Sequence, residues 1–139
     1  MKLELSSFEK ALALLDEALA EYDRTQSQFV KDACIQRFEY TYELAHKLLK
    51  RQLEAMSATP AEIDQMSFPD MIRTGAERGL LANSWDKWKL FRDARNATSH
   101  AYNEKKANEV FERISAFRDE AAFLLARLQE RNSANRCAD

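Results

Sequence analysis

Between positions 110 and 128 apolar residues recur in steps of four, three, four, three and four: Val110, Ile114, Phe117, Ala121, Leu124 and Leu128. Those steps track the turn of an α-helix, so the six side chains fall on one narrow stripe. A stripe this long stays wet unless another long helix lies against it, antiparallel where the connections are short. The chain offers two partners. Phe8, Leu12, Leu15, Leu19 and Tyr22 share one face of a first helix ending near Arg24, and Val30, Cys34, Phe38, Thr41, Ala45, Leu48 and Leu49 carry the period on to about Met56. Two glycines and two prolines in 139 residues leave little material for the turns of a sheet protein. The expected architecture is therefore all-α, an up-down bundle of about five helices. It forms a single domain over residues 1–131, and residues 132–139, which lack the apolar period, are expected to be a frayed polar tail.

Local signals place the boundaries. Ser6-Ser7-Phe8-Glu9 has the form of a capping box, and Thr25 to Gln28 reads as a short connection. The periodicity breaks from Ser57 to Ser67, with Thr59-Pro60 marking a turn. Ser67-Phe68-Pro69-Asp70 starts a helix that runs to about Arg78 and stops at Gly79, a residue suited to a left-handed cap. Leu80 and Leu81 should tuck this link onto the core. Asn83 or Ser84 caps a helix in which Trp85, Trp88 and Arg92 share a face; it ends at a turn around Ser99, and Asn103 caps the last helix. The aromatics of the second helix, Phe29, Phe38, Tyr40 and Tyr42, are expected in the core rather than on a base-stacking surface.

Composition narrows the function classes. A net charge of −2 speaks against indiscriminate coating of nucleic acid, while leaving room for a local cationic cleft. No apolar run is long enough to cross a bilayer, and Met1-Lys2-Leu3-Glu4 lacks the apolar segment of a secretion signal, so a cytoplasmic protein without membrane partners is expected. Cys34, inside a helical pattern, and Cys137, near the end of the chain, are expected as free thiols. No Cys or His cluster has metal-ligand spacing, and no cofactor or metal is expected.

The residues with chemistry to offer lie between two helices, in Arg95-Asn96-Ala97-Thr98-Ser99-His100-Ala101-Tyr102. Arg95 is a permanent planar cation suited to a phosphate, His100 exchanges a proton near neutral pH, and Tyr102 carries a hydroxyl. Five residues of ideal helix turn through about 140°, so Arg95 and His100 converge only if the helix ends between them or if two copies of the chain share a site. The plain structural alternative pairs Arg95 with Asp93 or Glu39 and leaves His100 as an imidazole at a helix end. Tyr102 could equally be a core tyrosine. His46, in mid-helix, reads as packing or surface, and Asp93 and Lys89 as a solvated face.

Arginine, four residues, histidine, one residue, tyrosine resembles the signature of the HEPN superfamily, in particular the HepT-like toxins and the similar nucleotidyltransferase substrate-binding proteins. Asn96 matches the polar residue that follows the arginine, and the run Ile35-Gln36-Arg37-Phe38-Glu39-Tyr40-Thr41-Tyr42-Glu43-Leu44-Ala45 and the helix order from Leu5 to Arg131 extend the likeness. The resemblance implies a homodimer in which two motifs line one cleft, and metal-independent RNA cleavage with His100 as acid and base and Arg95 stabilising the phosphate. It further implies a toxin-antitoxin pair with a minimal nucleotidyltransferase that adenylylates Tyr102 and so inhibits the toxin. The alternative it leaves open is a noncatalytic substrate-binding subunit of a nucleotidyltransferase complex, a subgroup that the run ending Tyr42-Glu43-Leu44-Ala45 resembles more closely.

Overall fold

The computed structural model describes the backbone of residues 2–138 and the side chains of residues 2–134. It is an all-helical bundle: α1 (Ser6–Thr25), α2 (Gln28–Met56), α3 (Pro60–Asp64), α4 (Phe68–Glu77), α5 (Trp85–Ala97) and α6 (Glu104–Ala138), with a 3-10 turn at Thr98–His100 between the last two. All six stripe residues of α6, from Val110 to Leu128, are fully buried. They lie against α2 and α1 on one side and α5 on the other. Phe117 is the hub, with its ring 5.1 Å from Phe38, 5.8 Å from Tyr42, 6.0 Å from Trp88 and 5.5 Å from Phe91, mostly edge to face. Rings at these separations attract beyond their buried area, so three helices are locked around one side chain. At the flank Arg118 grips Asp16 of α1 with two nitrogens, at 2.7 and 3.0 Å.

Several ends form as the sequence dictates. Gln26 takes the left-handed conformation and turns α1 into α2. Ser67 accepts the N–H of Asp70 at 3.3 Å, with Pro69 in the first turn of α4. Gly79 has φ +77°, and Leu80 donates its N–H back to the Gly75 carbonyl at 2.9 Å, the long bond of a glycine-terminated helix. Gly75 serves a different purpose: a Cβ there would lie 3.0 Å from Leu81 and 3.1 Å from Leu49, so the missing side chain lets α4 sit close to the core. Leu80 and Leu81 are buried, as the link required.

Other expectations are corrected. The break after Ser57 holds a short helix, α3, started by Pro60, so that the described residues form six α-helices, in keeping with a bundle of about five. Leu5, not a serine, occupies the cap position of α1, and Ser6 donates its N–H to the Glu4 carboxylate at 2.8 Å. Phe29, in the first turn of α2, is 88% exposed rather than in the core. Ser84 caps α5 in position only. Its side chain makes no capping bond, and the fully buried Glu120 of α6 takes the N–H groups of Ala82 and Asn83, both at 2.8 Å, and the indole N–H of Trp88 at 3.1 Å. Asn132 is no part of a frayed tail: it is buried, accepting from the Leu3 N–H at 3.1 Å and donating to the Leu3 carbonyl at 2.9 Å, while α6 continues to Ala138. Cys34 is a buried free thiol whose pKa burial pushes up, whereas Cys137 lies outside the described side chains. Among the described residues no helix is long and apolar enough to cross a membrane.

Candidate functional site

The turn from α5 to α6 is tied by its own polar side chains. Thr98 donates its hydroxyl to the Arg95 carbonyl at 2.8 Å, the chain tightens into the 3-10 turn, and the Ala101 N–H closes onto Thr98 at 3.2 Å. Asn103 then caps α6 as expected, its side-chain oxygen accepting from Lys105 at 2.9 Å and from Lys106 at 3.3 Å. Hydroxyl and amide groups that compete with helical hydrogen bonds are what break the helix here. The α-helical path is thus interrupted between Arg95 and His100.

The four motif residues differ in setting. Arg95, in the last turn of α5, is 30% exposed, and its Nε donates to Glu43 Oε1 of α2 at 2.5 Å. A guanidinium held through Nε keeps its two terminal nitrogens for another acceptor. Asn96 and His100 are exposed. Tyr102, 89% exposed, has its ring 6.5 Å from that of His100, edge to face. It is not a core tyrosine. The arginine's carboxylate partner is neither Asp93 nor Glu39. Asp93 instead lines a cleft toward α6 with Glu109, Glu112 and Arg113.

Tyr102 stands between two shallow clefts. One, of about 250 Å³, is lined by Asp32, Ile35, Gln36, Glu39, Thr98 and Ala101, and the other, of about 410 Å³, by Gln28, Asp32, Ala101 and Glu104. Their walls are acidic, so a phosphate is repelled on this side of the tyrosine and a cation drawn in. Behind the motif the buried Tyr42 packs on Phe38, Trp88 and Phe117, and burial pushes its pKa up to about 12, keeping it neutral. His46 lies half-buried on Phe68, ring to ring at 4.7 Å, and burial lowers its pKa; Glu43 pulls the other way, while Lys50 and Arg92 add to the lowering. Of the two readings its mid-helix position allowed, packing or surface, it takes packing.

Residues 3–130 match the family model for proteins described as nucleotidyltransferase substrate binding protein like. The chain belongs to this family. A Haemophilus influenzae relative named "Probable ribonuclease HepT" is 36% identical over 94% of this substrate-binding-like chain and 95% of its own. A solved Haemophilus influenzae structure, described as revealing the fold of a substrate binding domain of a nucleotidyltransferase, superposes with a TM-score of 0.84 at 31% identity, covering 91% of this chain and 99% of the other. A Thermus thermophilus crystal structure does so with a TM-score of 0.66 at 35% identity, over 87% and 98%. Both solved structures share this helical fold.

Sequence reasoning missed Glu43 and Glu120. Both act on partners remote in the chain, 52 residues away for Glu43 and 32 to 38 for Glu120. Glu43 lies within the run from Ile35 to Ala45, where its neighbours in the chain give it no task. For Glu120 the one signal was its place beside Ala121 on the buried flank of the α6 stripe.

Proposed function

We propose that this protein is a metal-independent endoribonuclease of the HepT kind, completed when two copies pair across their motif faces, and that it is the toxin half of a pair with a minimal nucleotidyltransferase in the cytoplasm. The observation that supports the reading is that Arg95, His100 and Tyr102 lie within one helix-to-helix turn, with the imidazole and phenol exposed and the guanidinium held through Nε by Glu43. In this reading His100 takes the proton of a ribose 2′-hydroxyl, whose oxygen attacks the adjacent phosphorus. The P–O5′ bond breaks, and an imidazolium returns a proton to the departing oxygen. Arg95 neutralises charge that grows on the non-bridging oxygens, and Asn96 supports the motif beside it. Acid-base assistance and electrostatic stabilisation each contribute orders of magnitude in rate. The paired copies bring a second imidazole, so one acts as base while the other acts as acid.

Tyr102 fits regulation better than chemistry. Its hydroxyl is open to a partner enzyme, and an adenylyl group there adds bulk and negative charge next to Arg95, which opposes an incoming RNA backbone.

A second reading draws on the acidic walls around Tyr102 and on the ion pair that occupies Arg95: a noncatalytic subunit that presents a substrate to its nucleotidyltransferase. The two separate in one experiment. Protein freed from any partner is incubated with RNA in the presence of a chelator, beside His100→Ala and beside RNA made 2′-deoxy throughout. Cleavage of RNA alone, lost in His100→Ala, supports the ribonuclease. Absence of cleavage with tight binding of a nucleotidyltransferase supports the subunit, and cleavage that survives in His100→Ala removes His100 from the mechanism.

A further inference from the structure

Arg95 is not the only cation on its side of α5. At about 100° per residue, Lys89, Arg92 and Asn96 fall within one sector of the helix, with Arg95 beside it toward Glu43 and with Asp86 and Asp93 bordering it on the Lys89 side. Lys89 and Arg92 are exposed, and among the described residues neither has a carboxylate within ion-pair distance. The Arg92 guanidinium lies 5.5 Å from the centre of the Phe68 ring, which also meets Trp85 edge to face at 5.8 Å. Phe68 and Trp85 are only half-buried. Successive turns of α5 thus lead away from the motif carrying cation, cation over aromatic, and cation.

Exposed cations in a row beside a partly exposed ring are what a single-stranded nucleic acid uses, with phosphates on the cations and bases on the π-faces. We propose that α5 continues the motif as a track for single-stranded RNA flanking the scissile bond: Arg92 and Lys89 hold phosphates on one side of it, and a neighbouring base rests on Trp85. The proposal rests on the ribonuclease reading and extends it to substrate length. The acidic clefts at Tyr102 lie on the other side of the motif, so the strand leaves along α5 rather than across them.

The test uses 2′-O-methyl oligoribonucleotides, which bind without being cut, of two and of eight nucleotides. Affinity is read by fluorescence anisotropy at several salt concentrations. Arg92→Gln should weaken the eight-mer about tenfold and reduce its salt slope by about 0.7, the share of one phosphate contact on a single strand. Lys89→Gln should act in the same direction, the dinucleotide should be unaffected by either change, and Lys10→Gln on α1 should leave both probes unchanged. Equal urea midpoints for all variants confirm that each is folded. Eight-mer binding by Arg92→Gln and Lys89→Gln at the wild-type level overturns the track while leaving the ribonuclease standing. Equal losses for both probes also overturn it, placing Arg92 in the cleavage site itself. A loss of affinity for the nucleotidyltransferase instead of RNA makes this face a protein contact, and no binding of either probe by wild type removes the track and the ribonuclease together.

Discussion

Glu120 is the strongest single test of how the site is held. Its carboxylate is buried and takes three N–H donors, from Ala82, Asn83 and the Trp88 indole, at 2.8, 2.8 and 3.1 Å. These bonds fix the loop that launches α5, and therefore the helix that displays Arg92 and Arg95. Glu120→Gln keeps the shape but leaves one accepting oxygen. The cheaper orientation turns the amide nitrogen toward Ala82 and retains the other two donors. One bond to a charged acceptor is then lost, worth about 1.5–3 kcal/mol, and the two that remain weaken to neutral strength, by about 0.5–1 kcal/mol each. Relief from burying a carboxylate offsets part of this, leaving a loss of about 2–4 kcal/mol. With a slope near 2 kcal/mol per molar urea, the unfolding midpoint should fall by about 1–2 M. The control is the adjacent Asp119→Asn, whose carboxylate is 76% exposed and 3.4 Å from Arg118; it should change stability by less than about 0.5 kcal/mol. Should Glu120→Gln unfold within that same margin of wild type, the carboxylate does not hold the α5 entrance and the reasoning is wrong.

Two further outcomes follow from exposure and burial. Tyr102→Phe should leave the unfolding midpoint within about 0.5 kcal/mol of wild type, since the ring is 89% exposed, yet should gain no adenylyl group by intact mass when incubated with the cognate nucleotidyltransferase and ATP. An adduct on the phenylalanine variant would assign the modification to another residue. For His46, whose folded pKa lies below its ordinary 6.5, the unfolded chain takes up the proton first as the pH falls. Its contribution to stability is full above 6.5 and is lost as the pH falls from there through the lowered folded value. Urea midpoints at about pH 7.5 and pH 5 should therefore drop more for wild type than for His46→Phe, and equal drops would contradict the assignment.

The periodic parts of the fold were legible because helix burial repeats every three or four residues. The α6 stripe, the α2 run and the Gly79 stop each depend on neighbours within a few positions. Phe29, 88% exposed, stands outside the periodic run that begins at Val30: its aromatic type, not its spacing, pointed to the core. Asn132 and Glu120 were misjudged or overlooked for a related reason. A polar residue on a helix reads as solvated until the backbone groups of a distant segment arrive to occupy it. At the site, the motif spacing told which residues gather at the turn and where the helix must break. It could not supply Glu43, because the α2-to-α5 approach is a product of the aromatic cluster around Phe117.

The clasp between Leu3 and Asn132 fixes more than a local contact. From Glu104 to Asn132, α6 climbs roughly 40 Å at about 1.5 Å per residue, so the clasp and the motif occupy opposite poles of one rigid rod. A small ligand can touch one pole or the other, never both, and loosening at the clasp pole need not be felt where Arg95 and His100 stand. The long helix keeps the mechanical fastening of the bundle and the surface offered to partners at a fixed distance from each other.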